Sequence, residues 1–228
     1  DFALLKDTDE KYYSIEEYKK FIEGNQKDKD GKLVFLYATN TEEQYPSIKA
    51  VKDLGYNVLL MDCELDSHFV GLLEQKIEGS RFARVDSDSA SNLIPKQDEV
   101  KPEMSEDDKK ALSELFKSVL PSGAEWDVEP ANLGENAEPV LITQNEFMRR
   151  YRDMSSIGGG MNFYGSMPQM YTLKVNMENP VITRIWADKD NTKDTLHQVV
   201  DLALLSKGLL KGKDLAEFIA RSSELLKK

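Results

Sequence analysis

One cysteine and one histidine in the first third of the chain have the types and the spacing that nucleophilic chemistry uses. Cys63 closely follows the apolar run NVLLM, and His68 lies five residues further on, where a helix is expected to begin. Active sites of α/β proteins lie at this edge, beyond the carboxyl ends of parallel strands. A small α/β enzyme with Cys63 as its nucleophile is therefore one hypothesis. No third group that would orient the base accompanies the pair, so a buried thiol beside a surface histidine is the favoured interpretation.

Metal and nucleotide chemistry have less support. His68 and His197 are the only histidines of the chain and fall in different predicted domains, so we expect no metal site. The apolar run LVFLYAT is followed by NTEEQYPS, which has acidic residues where a bound phosphate needs backbone N–H groups and a lysine. A nucleotide site in this half of the chain is therefore not expected.

The charge balance restricts the partners. The 228 residues include 30 basic and 41 acidic side chains, a net charge of −11, which disfavours nucleic acid and anionic membranes as partners. The single cysteine excludes an intrachain disulfide and fits a reducing cytoplasm, and no apolar run reaches the roughly 20 residues of a membrane span. The chain opens on Asp1 inside a sequence that reads as the interior of a protein, so we expect an excised fragment.

The first half of the chain alternates between strand and helix patterns. Ser14 and Glu17 have the spacing of a capping box at the start of a helix. After it, apolar runs at 33–39, 57–62 and 81–86 alternate with amphipathic segments at 45–55 and 65–79. Continuous apolar strands between amphipathic helices predict a small parallel sheet with helices on both faces, an α/β domain.

The second half predicts a separate α+β domain. Residues 86–105 are poor in apolar side chains and are interrupted by Pro95 and Pro102, which is typical of a linker. We place the first domain at 1–95, the linker at 96–104 and the second domain at 105–228. That domain should contain a helix capped by Ser105, strands in EWDVEPA, PVLIT and MYTLKVNM, and a short helix from Pro180 before two terminal helices.

Methionines are concentrated in one segment. Five of the eight, at 148, 154, 161, 167 and 170, lie within 23 positions that also contain a triglycine. Flexible, polarizable methionines are typical of adaptable binding surfaces. The alternatives are a helix stripe that belongs to a core, at 147–157, followed by a disordered loop.

The two terminal helices predict a helical hairpin with wide apolar surfaces. Two such hairpins related by a twofold axis form a four-helix bundle, so homodimerisation through residues 196–228 is a hypothesis, and packing against the rest of the same domain is the alternative. The residues expected at the dimer interface are Leu196, Val199, Val200, Leu204, Leu215, Phe218, Ile219 and Leu225.

Several segments in this order resemble the bacterial HtpG branch of the ninety-kilodalton heat-shock chaperone family. They are YYSIEEYKKFI, LVFLYATNTEE, GYNVLLM followed by ELDSHF, PVLITQNEFMRRYRDM, YTLKVNMENPVI and ALLSKG. The resemblance implies the distal α/β part of the middle domain followed by the carboxy-terminal dimerisation domain. It also implies that the ATP-binding domain, with its ATP and Mg²⁺, lies before Asp1, and that this part of the protein has no catalytic residue of its own.

The resemblance further implies a binding surface for non-native client proteins. The family carries an exposed amphipathic helix that corresponds to NEFMRRYRDM, and the methionine-rich segment would extend it. The family's acidic residue and tryptophan near the second strand are replaced by Ser67 and His68, which leaves Phe69 as the aromatic contact. The tail ELLKK lacks the acidic ending that some partners of eukaryotic relatives read. The expected client-binding residues are Phe69, Phe147, Met148, Tyr151, Met154, Met161, Phe163 and Met167.

Overall fold

The structure is a computed structural model and describes residues 4–63, 65–96, 104–144 and 170–227. These residues form two compact units, 4–96 and 104–144 with 170–227. Each unit has its own sheet and its own buried apolar side chains, so each is described by itself.

The first unit is built around a three-stranded parallel sheet. Its elements are β1 (Leu4–Lys6), β2 (Tyr12–Ser14), α1 (Ile15–Ile22), β3 (Leu33–Ala38), α2 (Tyr45–Asp53), β4 (Leu59–Leu60), α3 (Asp66–Lys76), β5 (Ser80–Arg84) and α4 (Ala90–Leu93). The strand order is β4-β3-β5, and both neighbours run parallel to β3. The predicted small parallel sheet is confirmed.

The central strand β3 is buried on both faces because helices cover both. Phe35 and Tyr37 face one apolar cluster, to which α1 and α3 contribute Tyr18 and Leu73 among others. Val34, Leu36 and Ala38 face the opposite cluster, which contains side chains from α2 and α4. Successive side chains of a strand point to opposite faces, so a strand that is apolar at every position needs cover on both sides.

A short antiparallel pair, β1 with β2, precedes the sheet and is absent from the sequence prediction. Its turn is organised by the buried carboxylate of Asp7. One oxygen accepts the amide N–H groups of Asp9, at 2.8 Å, and Lys11, at 2.9 Å. The other accepts the side-chain amide of Asn57, at 3.0 Å, and the hydroxyl of Tyr13, at 3.2 Å. Burial by itself would raise the pKa of Asp7, but these four donors hold it below its ordinary value.

Both outer edges of the first sheet meet another hydrogen-bonding group. On the β5 side, the amide of Phe82 donates to the carboxylate of Glu74 at 3.0 Å. On the β4 side, the amide of Thr8 donates to the carbonyl of Val58 at 2.9 Å, and Asp7 forms an antiparallel bridge with Leu59.

Helix ends follow the sequence signals in most places. The capping box of Ser14 and Glu17 is present at the start of α1, with the amide of Glu17 donating to the Ser14 hydroxyl at 3.3 Å. Gly55 follows α2 with φ of 80°, a left-handed conformation that favours glycine.

The segment interpreted as a linker begins later than its composition suggests. Leu93 and Ile94 are buried in the second cluster of the first unit, and the ammonium of Lys96 donates to the carbonyl of Lys27 at 2.8 Å. Residues up to 96 therefore pack within the first unit, because two apolar side chains anchor an otherwise polar stretch.

The second unit combines a mixed sheet with helices. Its elements are α5 (Glu106–Lys117), β6 (Glu125–Ala131), β7 (Val140–Thr143), β8 (Met170–Asn176), α6 (Pro180–Ala187), α7 (Lys193–Ser206) and α8 (Gly212–Leu225). The strand order is β6-β8-β7, with β6 parallel and β7 antiparallel to the central β8. All three predicted strands and the helix from Pro180 are confirmed.

One face of this second sheet is packed and the other is polar. Val128, Ile142 and Leu173 are in register across the three strands and lie in one core cluster with side chains of α5, α6, α7 and α8. Glu125, Asp127 and Glu129 alternate with the inward residues of β6 and are exposed. This alternation is the pattern of a sheet with one core face.

Candidate functional site

An exposed apolar strip lies along α3 of the first unit. Phe69, the expected client contact, is half-buried and packs against the core cluster under the helix. Leu65 lies one turn before it and is 63% exposed, and Leu72 lies one turn after it and is 55% exposed. Residues at these spacings share one helical face. We call Leu65, Phe69 and Leu72 the α3 strip. The sequence interpretation named only Phe69, although the spacing of the two leucines was visible.

Cys63 lies just before this strip and is exposed, so the expectation of a buried thiol is wrong. Its amide donates to the carboxylate of Asp66 at 2.9 Å. Burial raises the pKa of Asp66 above its ordinary value, the Cys63 amide opposes that rise and the Asp62 carboxylate adds to it. The hydrogen bond from the Cys63 amide to the Asp66 carboxylate closes the turn that leads into α3. The side chain of His68 is outside the described part of the structure, so a catalytic pair of Cys63 with His68 stays the less favoured hypothesis of the sequence analysis.

Most of the expected client-binding side chains also fall outside the described residues. They are Phe147, Met148, Tyr151, Met154, Met161, Phe163 and Met167. The last methionine of the cluster, Met170, is described: it opens β8 and is exposed.

Five of the eight expected dimer residues lie in the interior of a single chain. Leu196, Val199, Val200, Leu204 and Phe218 belong to the core cluster of the second unit, and none is more than 8% exposed. They therefore belong to the interior of their own unit, and a contact with a second copy stays a prediction for them. The physical reason is that the wide apolar side of α7 packs on its own sheet and on α8.

The exposed apolar residues of α7 and α8 are not these five core residues. Leu202 is 52% exposed and Ile219 is 54% exposed, and Leu205 is also exposed. Of the predicted interface residues, Ile219 and Leu225 are exposed and Leu215 is partly buried. We call the exposed set Leu202, Leu205, Ile219, Leu225 and Leu226 the hairpin surface.

The two terminal helices form an antiparallel hairpin. The first ends before Gly208, whose φ of 65° suits a glycine. The second begins at Gly212, with Lys211 at its N-cap and no side-chain capping bond.

A polar network joins the two helices beside the hairpin surface. The side-chain amide of Gln198 donates to the hydroxyl of Ser222 at 2.9 Å. The guanidinium of Arg221 donates to the amide oxygen of Gln198 at 3.2 Å and forms an ion pair with Asp201. Burial raises the pKa of Asp201 above its ordinary value, although Arg221 favours the charged carboxylate. We call these four residues the interhelical network.

The described residues contain neither a metal-binding cluster nor a membrane-spanning helix. In the described ranges, no group of three or more His, Cys, Asp or Glu side chains is placed to hold a metal ion. No helix in those ranges has the length and apolar character needed to cross a membrane.

Comparison with known proteins identifies relatives of this chain. No protein-family model matches the chain. A chaperone protein HtpG from Bacteroides fragilis is 49% identical over 191 residues, which is 83% of this chain and 28% of that protein. The HtpG proteins of Bacteroides thetaiotaomicron and Porphyromonas gingivalis are 36% and 35% identical, each over 99% of this chain and 43% of the relative. This chain belongs to the HtpG family.

The chain spans between 28% and 43% of the length of these HtpG proteins. The alignments with the Bacteroides thetaiotaomicron and Porphyromonas gingivalis HtpG proteins extend over 293 positions, more than the 228 residues here. Those two HtpG proteins therefore contain residues inside the aligned region that have no counterpart in this chain.

Proposed function

We propose that this chain is the client-binding and dimer-forming part of an HtpG-type chaperone. Its relatives are named chaperone proteins. The observation that carries the proposal is the α3 strip, a row of apolar side chains on the surface of a strongly acidic chain. Contiguous exposed apolar residues surrounded by polar ones mark interaction sites more often than isolated ones do.

A single strip of this size binds a client only weakly. Complete burial of one exposed leucine contributes about 1.5–3 kcal/mol at most, so a client is held by several strips at once. The residues of the methionine-rich segment, from Phe147 to Met167, supply further apolar contacts in this proposal. A net charge of −11 favours apolar segments with basic flanks over acidic ones.

The second part of the proposal is homodimerisation through the hairpin surface. Leucine and isoleucine side chains are exposed on both helices of the hairpin, and a twofold axis would bury the same patch of two copies against each other. The proposed contacts are the exposed residues of α7 and α8, not the five core residues named from the sequence.

The proposal for the full-length protein is an ATP-dependent cytoplasmic chaperone. ATP and Mg²⁺ bind in an amino-terminal domain that precedes this segment, and this segment contributes no catalytic residue. Nucleic acid, membranes and partners that read an acidic tail are not among its ligands.

Suppression of aggregation tests the client-binding part. Leu65→Ser with Leu72→Ser should reduce the ability of the 228-residue chain to keep a heat-denatured protein soluble, measured by light scattering. Leu54→Ser is the matched control, because Leu54 is 51% exposed in the same unit but lies outside the α3 strip. Equal suppression by the double variant and the control would remove the α3 strip from the proposal.

Sedimentation equilibrium tests the dimer. Leu202→Ser with Ile219→Ser removes the centre of the hairpin surface without touching the core, and the dissociation constant should rise at least about tenfold for a loss of about 1.4 kcal/mol. An unchanged dissociation constant would place the interface elsewhere. A truncation before α7 is less informative, since it removes core residues as well.

The enzyme hypothesis has one observation in its favour, the exposed thiol of Cys63. Alkylation of Cys63 separates the two functions. A chaperone should suppress aggregation as well after alkylation as before, whereas a thiol enzyme would lose its activity.

A further inference from the structure

The interhelical network occupies a defined level of the terminal hairpin. Gln198 and Asp201 belong to α7, and Arg221 and Ser222 belong to α8. All three contacts of the network cross from one helix to the other. The side chains of Arg221 and Asp201 are 20% and 14% exposed, so the ion pair lies in the groove between the helices and still reaches the surface.

The spacing relates this network to the hairpin surface. Each of its four residues is followed, four positions later, by an exposed leucine: the pairs are 198 with 202, 201 with 205, 221 with 225 and 222 with 226. Residues four apart share a helical face. Because the helices are antiparallel, one leucine pair lies on the loop side of the network and the other lies on the side of the chain end. Along the axis of the hairpin, the polar network therefore lies between two pairs of exposed leucines, Leu202 with Leu205 and Leu225 with Leu226.

We propose that the interhelical network is a polar layer that fixes the register in which two hairpin surfaces associate. The proposal rests on the proposed dimerisation and names the residues that make it specific. In the matched register, the network of one copy lies opposite the network of the other, around the twofold axis. In a slipped register, Arg221 or Asp201 faces a leucine of the second copy and loses water without gaining a polar partner.

The energetics of the network fit a role in specificity better than one in stability. Replacing a buried ion pair by apolar residues of similar volume is often neutral or stabilising, and a single polar position can fix the register of packed helices at a cost in stability. Burial raises the pKa of Asp201 despite its ion pair with Arg221, so the fold disfavours the charged carboxylate.

Distances between spin labels test the register. A label is attached through Glu217→Cys on the exposed side of α8, in a Cys63→Ser background, and the distance between the labels of the two copies is measured by pulsed electron resonance. The variant Gln198→Leu, Asp201→Leu, Arg221→Met makes the layer apolar at similar volume. Lys213→Met is the matched control, because it removes an exposed ion pair, with Glu217, on the same helix but outside the network. Since Glu217 is part of that ion pair, the control carries its label at Glu224→Cys instead. A second sample of the parent is labelled at Glu224→Cys for comparison with it.

The parent and the control should each show one narrow distance. The apolar variant should associate at least as tightly but show a second distance, displaced by about 5 Å for a slip of one helical turn. One narrow distance in the apolar variant, equal to that of the parent, would overturn the role of the layer. No distance between labels in any of the proteins would instead overturn the proposed dimerisation.

A second variant covers the case in which the apolar layer disturbs the fold. Asp201→Asn with Arg221→Gln keeps size and hydrogen bonding and removes both charges. Circular dichroism confirms the helix content of each variant. This variant should also broaden the distance distribution, and a distribution as narrow as that of the parent would contradict the proposal.

Discussion

The two three-stranded sheets of the molecule are covered in different ways. The central strand of the first, β3, is apolar at every position and lies between two clusters. The edge strand β6 of the second alternates exposed acidic residues with inward ones, and the sheet packs on a single cluster. The first sheet is therefore interior on both faces, while the second has one face for the core and one polar face.

This difference separates positions that stabilise the fold from positions that are accessible to a binding partner. A side chain on β3 can contribute only to stability, since neither face is accessible. In the first unit the strongly exposed apolar residues lie outside the three-stranded sheet: Leu4 and Tyr12 belong to the β1–β2 pair, and Leu65 and Leu72 belong to the α3 strip. Substitutions should therefore have large effects on stability in β3 and small ones on the polar face of β6.

The largest expected effects come from removing a core side chain in each sheet. Phe35→Ala in β3 removes a ring that contacts Tyr18 and Phe82, with centroids 5.5 Å and 4.7 Å away, and should cost about 3–5 kcal/mol of unfolding free energy. Leu173→Ala in β8 should cost about 2–5 kcal/mol.

The two tryptophans make this comparison measurable. Trp126 and Trp186 both belong to the second unit, so tryptophan fluorescence follows that unit and circular dichroism follows both. Leu173→Ala should shift the fluorescence transition in urea. If Phe35→Ala shifts fluorescence as much as circular dichroism does, the two units unfold as one cooperative body and the comparison by sheets fails.

The next effect concerns the turn that Asp7 organises in the first unit. Asp7→Asn keeps the size but places an amide against donors, so about 2 kcal/mol of stability should be lost. The folded pKa of Asp7 is lowered, so its contribution is complete above the unfolded pKa of about 4 and is lost as the pH falls through the folded value. Urea unfolding between pH 3 and 7 should show a steeper acid loss for the parent than for the variant. Parallel pH profiles would contradict this assignment.

A smaller effect is expected at the start of α1. Ser14→Ala removes the side-chain acceptor at the N-cap and should lower the unfolding free energy by about 1 kcal/mol. Thermal unfolding followed by circular dichroism measures the change. Ser14→Asp keeps an acceptor at this position and should recover most of the loss, which a cause other than capping would not produce.

The smallest effect belongs to the polar face of the second sheet. Glu125→Gln replaces an exposed side chain of β6, and exposed substitutions usually change stability by less than about 0.5 kcal/mol. A loss comparable to that of Leu173→Ala would show that this face is covered and that the contrast between the two sheets is mistaken.

Much of the fold follows from local sequence patterns. Continuous apolar strands predicted the parallel sheet around β3, and the capping signals at Ser14 and Ser105 marked the starts of α1 and α5. The family resemblance is confirmed by the HtpG relatives. These features depend on residues close together in the chain.

Two of the features that were missed depend on residues far apart. The turn of the β1–β2 pair includes a contact between Asp7 and Asn57, fifty residues away. Apolar periodicity showed that α7 and α8 bury wide surfaces but could not show which side faces their own sheet. Five of the predicted interface residues were therefore core residues. The exposure of Cys63 was missed for another reason: it accompanies a local turn closed by Asp66, and no apolar pattern encodes such a turn.

The edges of the first sheet have a consequence for a protein that is proposed to hold unfolded chains. An open strand edge is a template on which an extended polypeptide can add as another strand and begin an aggregate. Here the carboxylate of Glu74 occupies the amide of Phe82 on one edge, and the turn at Thr8 bonds to the carbonyl of Val58 on the other. Under the proposed function, a captured chain would therefore be held by its side chains and would not be recruited through its backbone at these positions.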